Sequence, residues 1–171
     1  IISSGFVYIN VKDSLEVSLK DRVMTLTAAL PLQSLTALSA NENDLDRNEY
    51  KVLKKILTDA RGVNSDVRFV YILGKNNAGE IFFYLDSENP DSNDYSPPGQ
   101  IYNEATKVLK NIYVNGKSAV EGPVADRWGE WISAMAPLKQ DDGKVVAVVG
   151  MDISANQYLK SLLVNSSIPT I

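Results

Sequence analysis

The chain has 171 residues, a net charge of −4, and neither cysteine nor histidine. That length suits a single domain, 1–171, able to bury roughly two-thirds of its unfolded surface. The missing residue types exclude Cys/His zinc sites and Ser-His-Asp or Cys-His nucleophiles. The basic residues are scattered, which argues against nucleic acid as a partner. No run approaches the roughly 18 apolar residues of a membrane span. The ends "IISSGFVYI" and "SLLVNSSIPTI" are nonetheless apolar-tinged, and a start at Ile1 reads as an excised piece.

In chain order, Val11, Leu15, Leu19, Val23, Leu26 and Leu30 recur at steps of four or three. This predicts a long N-terminal helix over 11–38, continuing through Leu35 and Leu38 with a kink or break at Pro31. A helix of about 40 Å is longer than a compact domain needs, so it reads as a dimer support or an outward connection. Asp46 with Glu49 forms a capping-box pattern before a second helix that buries Tyr50, Leu53, Leu57 and Ala60 and stops at Gly62. The period then switches to two. "VRFVYILGK" and "EIFFYLDS" are strands joined by the hairpin loop "NNAG". A 14-residue loop of turn formers follows, 86–99, of the kind used as lids or binding loops. A short helix carries Ile101, Ala105, Leu109 and Ile112 on one face and ends at Gly116. Strands around "AVEGPV", "WISAMAPLKQ" and "KVVAVVGMDI" come next, before a last helix capped by Ser154. The order implies an α+β fold: a mainly antiparallel five-stranded sheet with long helices on one face, leaving the other to the loop and short helix.

Strand parity places Ile132, Ala134, Ala136 and Leu138 toward the helices, and Trp131, Ser133 and Met135 away from them. Asp152 shares a side with Val148 and Gly150, and Gly150 leaves room for a ligand to approach the sheet. A carboxylate ending so apolar a strand is either a helix cap, an ion-pair partner of Arg127 or a lysine, or a pocket acid for a cationic or donor-rich ligand. Trp128 and Trp131 read as core anchors or as a pocket rim. Arg127 stacks on an indole, holds a ligand carboxylate, or pairs on the surface with Asp126 or Glu130. Tyr71, Tyr84, Tyr95 and Tyr102 read as partly buried packing residues or as pocket hydroxyls, and Asp86, on the side of Tyr84 and Phe82, reads as an Asx-turn residue or a pocket acid. The acids Asp86, Glu88, Asp91 and Asp94 fit neither an EF-hand nor a two-carboxylate hydrolase and read as a solvated loop. "GKNNAG" lacks the ending of a phosphate loop. No catalytic residue, metal or cofactor is expected.

The runs "FVYILGKNNAGEIFFYLDSE", "DYSPPGQIYNEATKVL", "EGPVADRWGEWISAMAPL" and "GKVVAVVGMDISANQY" resemble the extracytoplasmic PAS-like sensor domain, also called PDC or Cache. This domain occurs in membrane histidine kinases, diguanylate cyclases and chemoreceptors. The resemblance implies a PAS-like core over 67–153 with a small-molecule pocket between the sheet and the loop-plus-short-helix cover. It further implies helices joined to flanking membrane spans, the C-terminal one over 154–166, and an extracytoplasmic location. The function implied is a ligand-sensing input domain, foremost of a two-component sensor histidine kinase, with a ligand-free dimerisation or protein-interaction module as the alternative. In relatives that bind amino acids or amines, an aspartate ending the last strand meets the ammonium, and Asp152 matches it. The arginine that holds the ligand carboxylate in those relatives is missing from "YSPPGQIY", which supplies Tyr95, Gln100 and Tyr102, so only Arg127 is left to replace it. The ligand implied is an amine, an amino acid or another small polar metabolite, and pairing of two chains runs through the N-terminal helix.

Overall fold

The structure, a computed structural model, describes residues 4–166. The apolar ends noted in the sequence fall partly outside them, at residues 1–3 and 167–171. Helix α1 (Ser4–Ala29) turns its stripe inward: Leu19, Val23 and Leu26 are buried, with Leu30 just beyond it, and Val11 and Leu15 pack against the same core. Pro31 breaks the helix outright. Its φ of −72° and ψ of 98° are extended, and a separate short helix, α2 (Leu32–Thr36), buries Leu35. The single helix expected over 11–38 is therefore two, because the residue before a proline is pushed out of helical geometry.

The capping box also falls elsewhere. Asn41 and Asp44 supply it, around one 3-10 turn (Glu42–Asp44), while α3 (Asn48–Val63) follows Arg47 with no side-chain cap. Helix α3 buries Tyr50, Leu53 and Leu57 and runs one residue past Gly62, to where the Asn64 amide donates to the Ala60 carbonyl at 2.7 Å. Among the described residues no helix is long and apolar enough to cross a membrane.

Five strands form one antiparallel sheet: β1 (Val67–Lys75), β2 (Ile81–Asp86), β3 (Ala119–Asp126), β4 (Gly129–Lys139) and β5 (Val145–Ser154), in the order β2-β1-β5-β4-β3. Helix α4 (Lys107–Asn115) starts at Thr106, whose hydroxyl accepts from the Leu109 N–H at 3.0 Å, and ends at Gly116 with φ 63°. Ile101 and Ala105 precede this helix instead of extending its face. Residues 99–102 run along β2, where the Phe83 N–H donates to the Gln100 carbonyl and the Gly99 and Tyr102 N–H groups donate to Phe83 and Ile81. That run covers the free edge of the sheet and carries Tyr102 over its face. Helix α5 (Ala155–Ser166) closes the chain.

The sheet separates two apolar clusters. On the helix side, Val70, Ile72, Ala134, Ala136, Val149 and Met151 meet residues of α1, α3 and α5. On the other side, Phe69, Tyr71, Phe83, Trp131 and Met135 pack under α4. The parity read for β4 matches this division. In β2 it does not, because the ladder slips: Ile72 pairs with Leu85 but Leu73 pairs with Phe83. Tyr84 is the extra residue of the bulge, and a bulge exchanges the faces on either side of it. Tyr84 thus packs on the helix side beside Phe82, and Phe83 takes the side shared with Asp86.

Candidate ligand-binding site

The cavity on the α4 side lies over the seam between β1 and β5. Aromatic rings of Phe69, Tyr71, Phe83, Tyr102 and Trp128 line it, interleaved with Asp86, Asp94, Asp126 and Asp152, and with Ser96. It encloses about 20 Å³, room for about one water molecule. A second space of about 10 Å³ lies behind Tyr71, Tyr102 and Asp126, walled by Trp131, Ser133, Met135 and Glu121.

Asp152 is a deeply buried acid of the cavity wall. Only 5% of it is exposed, and Tyr71 donates its hydroxyl to Oδ1 at 3.0 Å. Burial pushes its carboxyl up to about 7; the hydroxyls of Ser133 and Tyr71 pull it back, while Asp126 and Glu121 add to the rise. Neither a helix terminus nor Arg127 is its partner. Gly150 does not leave open space either: a Cβ there would lie 2.2 Å from the Tyr71 ring. The glycine admits Tyr71, and Tyr71 delivers its hydroxyl to Asp152. Burial raises the Tyr71 phenol well above its ordinary value, so it stays protonated and donates.

The two-residue turn between β3 and β4 is organised by Asp126. Its Oδ1 accepts from the backbone N–H of Trp128 (2.9 Å) and Gly129 (3.1 Å) and from the Trp131 indole (2.9 Å), and its Oδ2 accepts from Tyr102 at 3.1 Å. Gly129, at φ 151°, lets the chain turn where a Cβ would strike the Trp131 ring at 2.7 Å. One carboxylate therefore fixes both tryptophans and the Tyr102 cover. Trp131 is 8% exposed and stands edge-on to Phe69 at 4.9 Å. Trp128 is half-buried at the mouth, edge-on to Phe83 at 5.9 Å.

The loop after β2 is not solvated as its composition suggests. Asp86 and Glu88 are 4% and 5% exposed. Lys54 of α3 pairs with Asp86 at 3.0 Å; Arg61 and Arg68 both reach Glu88, and Arg68 also holds Asp94 at 2.6 Å. The Asp86 carboxylate also accepts from the N–H groups of Ser96 (2.7 Å) and Glu88 (3.1 Å). Burial still raises the Asp86 carboxyl above its ordinary value, opposed chiefly by Lys54. Of the four loop acids singled out in the sequence, only Asp91 is exposed.

Of the candidate residues, the structure brings Tyr71, Asp86, Tyr102, Trp128 and Asp152 to the first cavity and Trp131 and Ser133 to the second. Three lie elsewhere. Tyr84 is on the opposite face. Tyr95 turns to α3, its hydroxyl 3.2 Å from that of Tyr50 and its ring under Lys54. Arg127 points outward, forked onto Glu104 at 2.8 and 2.6 Å and stacked on Trp128, so its partner is neither Asp126 nor Glu130. Sequence reasoning missed Phe69, Phe83, Asp94, Ser96 and Asp126 as lining residues. The parity of "VRFVY" holds a signal for Phe69, but only the bulge reveals Phe83. No Lys or Arg lines either space, and among the described residues no acidic group is disposed to hold a metal ion.

No family model matches the chain, and no curated protein matches it as a relative. Solved structures do share its fold. The sensory domain of the Campylobacter jejuni chemoreceptor Tlp3 aligns with 91% of this chain and 60% of its own length, at 21% identity and a TM-score of 0.57. The Escherichia coli DcuS sensor domain aligns over 90% of this chain and 98% of its own, at 15% identity and TM-score 0.60. The ligand-binding domain of the Pseudomonas aeruginosa amino-acid chemoreceptor PctC, in complex with GABA, aligns over 93% and 64%, at 16% identity and TM-score 0.57. The chain thus spans about 60% of the length of the Tlp3 domains it matches. Its fold is that of the PAS-like, extracytoplasmic sensor domains of membrane receptors.

Proposed function

We propose that this chain is the extracytoplasmic ligand-sensing input domain of a membrane receptor, a sensor histidine kinase being the type to which the resemblance points, and that it takes a small amine. The observation that carries the reading is Asp152, a carboxylate buried among aromatic rings in a cavity lined by no cation. Rings and a carboxylate together favour an ammonium group, through cation–π attraction and charge pairing. A ligand carboxylate finds no such partner, because Arg127 is already forked onto Glu104. Tlp3 has been solved with L-valine and PctC with GABA, both of which carry an ammonium group.

The small enclosed volume means that a ligand enters only as the cover moves. That cover is tied to the helix face, since Asp86 and Asp94 line the cavity while their partners are Lys54 on α3 and Arg68 on β1. Displacing the loop therefore disturbs ion pairs that reach α3, and a ligand with different affinities for the two arrangements shifts their populations. The same small volume favours a second reading, a structural module whose pocket is filled by its own side chains. Binding through the acidic loop loses its motive, since Glu88 is buried and doubly paired.

A thermal-shift panel of amines, amino acids and carboxylates decides between them. Stabilisation by amines, at least about ten-fold weaker in Asp152→Asn, supports sensing. Silence across the panel, or stabilisation by carboxylates alone, overturns it.

A further inference from the structure

Helix α3 lies over β1 and β2, and α1 and α5 lie over β4 and β5, so the helices barely reach the edge strand β3. Along that edge an open groove of about 750 Å³ remains between the C-terminal half of α1 and the end of β4. Leu30, Ala136 and Leu138 are buried at its floor, and Met24 is 44% exposed on its wall. Lys20, Lys117 and Lys139 stand around it. The lining contains no carboxylate, and among the described residues none of these three lysines has an ion-pair partner. Every arginine of the chain, in contrast, is paired.

Lys139 is also positioned by the fold. A Cβ on Gly116 would come within 3.0 Å of its Nζ and 3.1 Å of its Cε, so the ammonium rests over the glycine that ends α4. A cation is favoured there by the helix dipole. Unpaired positive charge gathered around an apolar floor, in a chain of net charge −4, is complementary to an amphiphilic anion.

We propose that this groove binds a medium-chain fatty acid, its hydrocarbon along Leu30, Ala136 and Leu138 and its carboxylate among Lys20, Lys117 and Lys139. Its volume is in the range of about 300–1,000 Å³ common to small-molecule sites. It shares no lining residue with the cavity over Asp152. The proposal therefore stands or falls separately from amine sensing.

Calorimetric titration with decanoate, decanol and decyltrimethylammonium tests it, each below its micelle concentration. Decanoate should bind the unaltered chain at least about ten-fold more tightly than either other probe, through charge-assisted contacts. Added salt should shrink that preference. The triple variant Lys20→Gln/Lys117→Gln/Lys139→Gln should lose the preference, and Asp152→Asn should keep it. Equal binding of decanoate and decanol overturns the proposal, as does no saturable binding or loss of decanoate binding in Asp152→Asn. Light scattering adds a further outcome: if the unaltered chain is a dimer that the triple variant breaks, the groove is an interface between copies and the proposal fails. The comparison of probes and the salt series need only the unaltered chain, so they decide even if the triple variant does not fold.

Discussion

On the helix-covered face of the sheet, Val70, Ile72, Ala134, Val149 and Met151 close against Leu19, Val23, Leu53 and Leu57. On the opposite face, Phe69, Tyr71, Phe83 and Trp131 alternate with Asp126 and Asp152, and small spaces remain between them. The same strands supply both faces, so backbone pairing does not explain the difference. One face removes apolar area from water at roughly 25 cal/mol per Å². The other gives up part of that gain to keep carboxylates out of water, where the charged form is penalised. If the cavity binds the proposed amine, stability and recognition fall on opposite sides of one sheet.

The largest expected effect comes from the first face. Leu53 is fully buried, and Leu53→Ala should cost about 2–5 kcal/mol by urea unfolding, with amine binding by the remaining folded protein unchanged. Loss of binding in step with stability would show that the faces are not separate. Next is Asp152. Unfolded, its carboxyl titrates near 3.8; folded, near about 7. Between those values the folded state holds the extra proton, so stability falls as pH rises from about 4 to about 7 and then levels off. The change is on the order of 4 kcal/mol, and Asp152→Asn should flatten it while retaining an acceptor for Tyr71. Parallel profiles for the two proteins would refute the burial argument. The smallest effect is at the mouth. Arg127→Ala breaks a half-exposed pair worth at most about 1 kcal/mol, and amine affinity should stay within about two-fold. A ten-fold loss would return Arg127 to the site.

Much of the architecture was readable in local pattern. The alternation along "WISAMAPL" assigned Trp131, Ser133 and Met135 to one face and Ile132, Ala134 and Ala136 to the other, because side-chain period is a property of the strand alone. What was hidden depends on remote partners. Nothing near Glu88 in the sequence announces that Arg61, 27 residues earlier, and Arg68, 20 residues earlier, converge on it. The bulge at Tyr84 was equally hidden, since it exists only in the register between two strands, and it reassigned Phe83 and Tyr84 together. The capping box was misplaced for another reason: Asp46-x-x-Glu49 and Asn41-x-x-Asp44 are equally good patterns, and the turn leading out of α2 selects the earlier one.

The strand order β2-β1-β5-β4-β3 bears on how the molecule assembles. Two units of mostly local pairing, the β1–β2 hairpin and the β3–β4–β5 meander, pair within the sheet only along the β1–β5 ladder. Tyr71 and Asp152, which meet across that ladder, are 81 residues apart in the chain. Closing so long a loop carries an entropic cost that must be met before the contacts it allows can form, which is what slows folding of high-contact-order topologies. The Tyr71–Asp152 hydrogen bond therefore depends on that long-range closure, and the cavity exists only once β1 and β5 are paired.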